Sequence, residues 1–120
     1  MSTIIKCGRE LIRISPNNSK NLEYSTNKGR SWSTRYDGVS NVGEFRDLCH
    51  IGKEILGVTN KGIVCSSSTG KEWSVRYHTN PFIGEFLELC SLGKKILVTT
   101  TKAVCSSTNE GRAWIVQERM

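Results

Sequence analysis

The chain has 120 residues and a formal net charge of +6, and 23% of its residues are charged. This length is enough for one modest hydrophobic core, and no apolar run approaches the roughly 18 to 20 residues of a membrane span. The first residues, Met-Ser-Thr-Ile-Ile-Lys-Cys, lack the basic start and apolar region of a secretory signal. We therefore expect a cytoplasmic protein with no membrane contact. The positive charge favours acidic partners without identifying one.

Five cysteines are present, Cys7, Cys49, Cys65, Cys90 and Cys105. The odd number and the absence of a Cys-x-x-Cys pair argue against a disulfide framework and against an ordinary zinc site. Cys49 matches Cys90 when the chain is compared with itself, and Cys65 matches Cys105. We expect reduced, buried thiols that recur as small apolar residues, and we predict neither a metal nor a cofactor.

An internal repeat runs through the chain. Trp32, Trp73 and Trp114 follow one another at intervals of 41 residues, and a fixed period in this range indicates a repeat architecture. The stretch GEFRDLCHIGKEILGVT from Gly43 is repeated with changes from Gly84. IIKCGRELIRI aligns with the same segment when Gly8 is set against Gly52. We predict a single domain of three repeats, residues 1–42, 43–83 and 84–120.

Each repeat contains four short segments of β-type pattern, which in the second copy read EFRDLCHI, EILGVT, IVCSS and EWSVRY. Turn-forming Gly, Asn, Lys and Ser residues separate them, and no segment has apolar residues at helical spacing. Four short antiparallel strands in about 41 residues describe a propeller blade. The predicted fold is all-β, with three four-stranded propeller blades per chain.

The turn before each tryptophan reads STNKGRSW (25–32), SSSTGKEW (66–73) and STNEGRAW (107–114). These stretches resemble the Asp-box, or BNR repeat, of sialidase-like propellers, whose pattern is Ser-x-Asp-x-Gly-x-Thr-Trp. Asn27 and Asn109 replace the usual Asp, and Ser68 or Thr69 takes that place in the middle copy. The residues expected to build the three turns are Ser25, Asn27, Gly29 and Trp32, then Ser66, Gly70 and Trp73, then Ser107, Asn109, Gly111 and Trp114.

In such a turn the Ser and Asn side chains bond to the nearby backbone, the Gly has a positive φ, and the Trp packs into the blade. The resemblance implies that the box joins the third and fourth strands on the side away from the ligand. The repeated box would therefore build blades and would not select a substrate.

Three blades cannot close a ring, because propellers close with roughly four to eight blades. An isolated arc would also expose two apolar blade faces. Two chains related by a twofold axis would give six blades, the number that the resemblance implies. Met1 corresponds to Phe45 in the repeat alignment and Met120 follows the last strand, which favours three whole blades per chain. We expect a six-bladed β-propeller completed by homodimerisation, although another protein could complete the ring instead.

Ligands of propellers usually meet the face formed by the connections between blades and the turns between second and third strands. The candidate ligand-binding residues there are Arg35, Tyr36, Arg76, Tyr77, Lys61, Lys102, Asn60 and His78. Arginine binds phosphate or carboxylate through two donors, and tyrosine stacks on a base or a sugar. Alternatively, the Arg-Tyr pairs form the exposed outer edge of each blade and pair with Glu44 and Glu85.

Sialidase-like propellers include glycoside hydrolases, but the Arg, Tyr and Glu residues here recur with the repeat, whereas a catalytic site needs one asymmetric arrangement. We therefore expect a non-enzymatic binding protein. The sequence favours capture of a small anionic ligand, such as a nucleotide or a phosphorylated metabolite, as in a phage or bacterial sequestering protein. A lectin-like or protein-interaction propeller is the alternative. Nucleic acid has weaker support, because runs of Lys and Arg are absent.

Overall fold

The computed structural model describes residues 4–38, 42–67 and 69–119. Over these residues the chain forms three four-stranded antiparallel sheets, and within each sheet the strands lie side by side in chain order. The first sheet contains β1 (Ile4–Cys7), β2 (Glu10–Ile14), β3 (Leu22–Ser25) and β4 (Ser33–Tyr36). The second contains β5 (Phe45–Ile51), β6 (Glu54–Thr59), β7 (Gly62–Ser67) and β8 (Ser74–His78). The third contains β9 (Phe86–Leu92), β10 (Lys95–Thr100), β11 (Ala103–Ser107) and β12 (Ile115–Arg119).

This arrangement confirms the predicted all-β class with three four-stranded blades. The described ranges hold no helix with the length and apolar character needed to cross a membrane. We call the sheets blades 1, 2 and 3. Each blade has a forward face, directed toward the position of the next blade in the chain, and a backward face on its other side.

The blades pack face to face, and two apolar cores fill the spaces between them. Between blades 2 and 3, the forward face of blade 2 meets the backward face of blade 3. The core there includes Cys49, Leu56, Val58 and Ile63 from blade 2 and Phe86, Leu89, Ile96, Val98, Cys105 and Trp114 from blade 3. Leu56, Val58 and Ile63 are completely buried. Alternation along each strand supplies both faces of blade 2, because successive side chains point to opposite sides of a sheet.

Aromatic rings cross the boundary between blades. Tyr36 of blade 1 lies edge-on to Phe45 and Trp73 of blade 2, with ring centroids 6.1 and 6.4 Å apart. Tyr77 of blade 2 meets Phe86 of blade 3 in the same way, at 6.0 Å. Edge-to-face pairs of this kind stabilise a core beyond the area that they bury. Both tyrosines therefore contribute to the packing between blades.

The turn between β3 and β4 has the hydrogen bonds expected of the box. The Ser25 hydroxyl accepts the Gly29 amide proton at 2.8 Å and donates to Asn27 Oδ1, also at 2.8 Å. Asn27 Oδ1 accepts from the Ser31 amide at 3.0 Å, and the Trp32 indole donates to the Gly29 carbonyl. Gly29 has a φ of 89°, a region that glycine enters without steric cost.

The turn between β11 and β12 repeats these contacts. Ser107 Oγ accepts from the Gly111 amide at 2.9 Å and donates to Asn109 Oδ1 at 2.8 Å. Asn109 Oδ1 accepts from the Ala113 amide, and the Trp114 indole donates to the Gly111 carbonyl. Asn27 and Asn109, which stand where the motif usually has an aspartate, therefore each accept two hydrogen bonds through Oδ1.

The middle turn differs from the other two. The Ser66 hydroxyl is buried, and no described group bonds to it. The bonds predicted for Ser66 are not found among the described residues, where the Gly70 amide donates to the Ser67 carbonyl at 3.1 Å and not to the Ser66 hydroxyl. Ser68, which occupies the asparagine position of the other two turns in the sequence, lies outside the described residues. The Trp73 indole keeps its bond to the Gly70 carbonyl at 2.8 Å.

The predicted equivalence of Cys65 and Cys105 is wrong. Cys65 lies opposite Leu56 and so belongs to the forward face of blade 2, whereas Cys105 lies opposite Val98 on the backward face of blade 3. The structural counterpart of Cys105 is Val64. The letters Cys-Ser-Ser occur in both strands with a shift of one residue, and such a shift reverses the face of a strand.

Burial of each cysteine depends on whether a neighbouring blade covers it. Cys7, Cys49 and Cys105 are buried, and burial raises the pKa of each thiol. Cys90 is exposed, although it matches Cys49 in the repeat, because no blade formed by the described residues covers the forward face of blade 3. The expectation that all five thiols are buried is therefore wrong for Cys90, and Cys65 is only partly buried.

Candidate functional site

Each blade has two ends with different chemistry. The connections between blades and the turns between second and third strands lie at one end, which we call the loop end. The three box turns lie at the opposite end, which we call the box end, together with the turns between first and second strands. This division follows from the antiparallel order of the strands. It separates the predicted ligand-binding residues into groups that do not meet.

Arg76 reaches toward the box end. It is the extra residue of a β-bulge in β8, because Tyr77 pairs with Ile63 while Val75 pairs with Val64. A bulge turns a side chain away from its regular direction. The Arg76 guanidinium donates to both carboxylate oxygens of Glu54, at 2.6 and 3.0 Å, and to the Glu110 carbonyl in the box turn of blade 3 at 2.9 Å.

Arg35 makes the same contacts one blade earlier. It is the extra residue of the bulge in β4, pairs with Glu10 at 2.6 Å and donates to the Thr69 carbonyl in the box turn of blade 2. We call these two sets of contacts the arginine bridges. The Arg35 and Arg76 side chains are only 6% and 9% exposed. Each bridge therefore fixes a blade to the box turn of the next one.

The bridges change the electrostatics of their own members. The hydrogen bond from Arg76 lowers the pKa of Glu54, and the same bond raises the pKa of Arg76. The prediction that the Arg-Tyr pairs bond to Glu44 and Glu85 is wrong. Glu44 instead accepts from the Ser19 hydroxyl at 2.9 Å, and Glu85 pairs with Arg46 at 3.2 Å. The Arg-Tyr pairs do not form an exposed outer edge, since the arginines are buried in the bridges and the tyrosines pack between blades.

The remaining four candidates lie at the loop end. Asn60 is a structural residue there, because its Oδ1 accepts the Glu44 amide proton at 2.8 Å. Lys61 and His78 are exposed, and the Lys102 ammonium donates to the Pro81 carbonyl at 2.6 Å. The eight predicted residues therefore occupy three separate environments. Ligand binding by any of them stays a prediction.

A further group at the loop end surrounds Phe82, in the connection from blade 2 to blade 3. The Phe82 side chain is 70% exposed, although its neighbour Ile83 is buried. The Arg119 guanidinium lies 4.2 Å from the Phe82 ring centroid and donates to the Phe82 carbonyl at 2.8 Å. Asn80 Oδ1 accepts from the Ile83 amide, which closes the turn. We call Phe82, Pro81, Lys102 and Arg119 the Phe82 cluster.

A shallow cavity of about 340 Å³ lies beside this cluster. Its lining residues are Thr79, Asn80, Pro81, Gly84, Glu85, Thr101 and Lys102. Gly84 has a φ of 92°, and a Cβ atom at this position would collide with the Thr101 hydroxyl. That hydroxyl accepts the Glu85 amide proton at 3.1 Å. The glycine thus allows the close approach that shapes the cavity.

Phe82 and Arg119 were absent from the ligand-binding residues predicted from sequence. The available signal was an aromatic residue beside proline in an otherwise polar turn. Arg119 gives no such signal, because it contacts Phe82 only after the blade has folded. The described ranges contain no group of three or more His, Cys, Asp or Glu residues placed to hold a metal.

Comparison with known proteins gives structural matches only. No family model matches the chain, and no curated protein does. It is similar to "YCF48 bound to D1 peptide", with a TM-score of 0.75 and 18% identity over 98% of this chain and 42% of that one. It is also similar to "YCF48 from Cyanidioschyzon merolae", with a TM-score of 0.71 and 19% identity over 96% of this chain and 35% of that one.

The chain thus spans less than half the length of either structure. At these sequence identities the similarity shows only that the folds are alike. YCF48 is a β-propeller protein. The Asp-box resemblance rests on the sequence motif and on the geometry of the first and third turns. The chain is therefore an arc of three β-propeller blades.

Proposed function

We propose that this chain is a protein-interaction propeller that binds a polypeptide segment at its loop end, through the Phe82 cluster. The observation that carries the proposal is the exposed Phe82 ring held in place by Arg119. The likeness to a propeller bound to a D1 peptide supports the same class of ligand.

The Phe82 cluster has the chemistry of a binding hot spot. Aromatic and arginine side chains are enriched where interfaces gain most of their energy. Arg119 contacts both the ring and the carbonyl of Phe82, which favours one orientation of the exposed ring before a ligand binds. A group ordered in advance binds more tightly, because the entropic cost of ordering it has already been met.

Charge around the Phe82 cluster favours an acidic segment. Lys102 and Arg119 are exposed there. Glu85 is the nearest acidic residue of the cavity, and Arg46 pairs with it. We therefore expect a peptide that places an apolar or aromatic side chain on Phe82 and a carboxylate near Lys102.

A small anionic ligand has less support than a peptide. Arg35 and Arg76, the strongest anion-binding candidates, already bind carboxylates within the chain. Tyr36 and Tyr77 contact aromatic rings of the following blade and cannot stack on a ligand at the loop end. The cytoplasmic location and the absence of enzymatic activity stay predictions.

An array of short synthetic peptides, graded in acidic and aromatic content, tests the proposal. Labelled wild-type protein is compared with Phe82→Ala and with Leu87→Ala, a control that removes an exposed apolar side chain (38%) from β9, outside the Phe82 cluster. We expect wild type and Leu87→Ala to bind peptides that combine acidic and aromatic residues, and Phe82→Ala to lose most of this binding. A wild-type protein that binds no peptide, or a Phe82→Ala variant that binds the same peptides equally well, would contradict the proposal.

A further inference from the structure

The forward face of blade 3 is an uncovered copy of a buried surface. Cross-strand pairing places Cys90, Leu97, Ser106 and Ile115 in one row on this face. The corresponding row of blade 2 begins with Cys49 and Leu56, which are 6% and 0% exposed because blade 3 covers them. Ile115 in β12 and Leu92 in β9, the two outer strands of this sheet, are 65% and 56% exposed. A face built like a blade boundary thus has no blade against it.

The backward face of blade 1 differs from its counterparts in charge. Its cross-strand row is Ile4, Arg13, Glu23 and Thr34. In blade 2 the same row is Leu48, Gly57, Val64 and Val75, and in blade 3 it is Leu89, Val98, Cys105 and Val116. The two central positions have therefore changed from small or apolar residues to an ion pair.

This ion pair lies over the box tryptophan of blade 1. Arg13 and Glu23 are 2.7 Å apart, and the Arg13 guanidinium lies 4.1 Å from the Trp32 ring centroid. Glu23 engages Arg13 through Nε and Nη2, and a guanidinium has five N–H donors in all. Arg13 thus retains donor capacity for a second carboxylate.

The forward face of blade 3 carries the complementary change. Tyr36 and Tyr77 are the residues that project onto the aromatic rings of the next blade. The bulge register places Glu118 at the same position of blade 3, opposite Val104. At this position Tyr36 lies 6.4 Å from Trp73, the box tryptophan of the following blade. Beside Trp32, Glu118 would meet Arg13.

A cavity on blade 1 also matches this arrangement. It measures about 520 Å³ and includes Gly8, Arg9, Leu11, Thr26 and Lys28 in its lining. The cavity between blades 2 and 3, about 340 Å³, has Gly93, Lys94, Ile96, Thr108 and Glu110 at the same repeat positions. There, Ile51 and Gly52 of the preceding blade form the opposite wall. Leu92 and Gly93 occupy those two positions in blade 3.

We infer that a second copy of this chain packs the forward face of its blade 3 onto the backward face of blade 1, with Glu118 of one copy paired to Arg13 of the other. Leu92 enters the blade 1 cavity, and two such contacts related by a twofold axis close a ring of six blades. Arg13 and Glu118, which replace uncharged residues of the repeat, are opposite in sign and fall on the two faces that would meet. This complementarity favours a second copy, and the inference does not depend on peptide binding.

Sedimentation velocity over a range of concentrations tests the assembly. We expect a species of twice 13.4 kDa for the wild type. Glu118→Arg should raise the dissociation constant of the dimer at least about tenfold. A close charge pair across an interface contributes about that much to the affinity. Glu72→Arg, which changes an exposed glutamate outside both faces by the same charge, should leave it unchanged.

A charge exchange separates the proposed pair from a simple loss of folding. Arg13→Glu combined with Glu23→Arg keeps an ion pair within blade 1, and adding Glu118→Arg should return the dissociation constant to near the wild-type value. A wild-type protein that stays monomeric at every concentration, or a Glu118→Arg variant that dimerises normally, would overturn the inference. So would failure of the triple variant to recover dimerisation while its circular dichroism remains native.

Alkylation of Cys90 gives a second readout. In the assembly Cys90 takes the environment of Cys49, which blade 3 covers. We expect iodoacetamide to modify Cys90 more slowly as protein concentration rises, whereas Cys65, which lies away from the proposed contact, reacts at a constant rate. A Cys90 rate independent of concentration would count against the contact.

Discussion

Replacing Arg76 with methionine tests the arginine bridges. Methionine keeps much of the apolar stem and removes the guanidinium, which makes two hydrogen bonds to Glu54 and one to the Glu110 carbonyl. The substitution leaves the Glu54 carboxylate without its partner. Because the arginine is only 9% exposed, water does not replace the lost contacts at its end of the bridge.

The size of the effect follows from this geometry. Breaking a buried ion pair by removal of one partner costs roughly 3 to 5 kcal/mol. Glu54 is 29% exposed, so water solvates part of the remaining charge. We therefore expect the free energy of unfolding to fall by about 2 kcal/mol, which corresponds to a decrease in Tm of roughly 8 °C for a domain of this size.

Urea unfolding at a fixed protein concentration measures the change, since any association of the folded chain would make its stability concentration-dependent. Arg46→Met is the matched control. Its ion pair with Glu85 is 31% and 56% exposed, and exposed pairs contribute about 1 kcal/mol or less. The argument fails if Arg76→Met costs less than about 0.5 kcal/mol or no more than the control.

Three further predictions concern the bridge, the loop end and the box. The hydrogen bond from Arg76 lowers the pKa of Glu54 below its ordinary value of 4.5, so its stabilisation is present above that pH and is lost as pH falls through the lowered pKa. The stability difference between wild type and Glu54→Gln should thus be constant near neutral pH and shrink below pH 4.5; a constant difference at all pH values would contradict this. Gly84→Ala should cost at least about 2 kcal/mol, because it adds a collision to a positive φ. Gly52→Ala, at a φ of 53° with open space, should cost only about 1 kcal/mol, and equal losses in urea unfolding would refute the role of the collision. Asn109→Ala removes the acceptor for two hydrogen bonds and should cost about 1 to 2 kcal/mol by thermal unfolding, whereas an unchanged Tm would exclude its role in the turn.

The internal repeat is the reason that the fold could be predicted from the sequence. Trp32, Trp73 and Trp114 set the period, and alternating apolar residues between turn signals located the strands. Both signals are local, since turn chemistry and side-chain alternation depend on neighbouring residues. The same locality explains the error at Cys65 and Cys105. A shift of one residue leaves the local amino-acid composition unchanged, but it moves a side chain to the other face of the sheet.

The functional residues depended on contacts that the sequence does not display. Arg35 and Arg76 have the chemistry of anion-binding residues, and they bind Glu10 and Glu54 instead. The bulges in β4 and β8 direct both side chains toward these carboxylates. A bulge is defined by pairing with another strand, so the residues of one strand do not specify it. Phe82 likewise became a candidate binding residue only through its contact with Arg119, which is 37 residues away in the chain.

The most direct test of the central claim is a ¹H–¹⁵N NMR titration with an acidic aromatic peptide selected on the array. If the chain is a peptide-binding propeller, the backbone amides of Phe82, Lys102 and Arg119 will shift on binding, and the box-turn indole signals of Trp32 and Trp73 will keep their positions. Shifts confined to the box end, or a spectrum unaffected by the peptide, would contradict the proposed function.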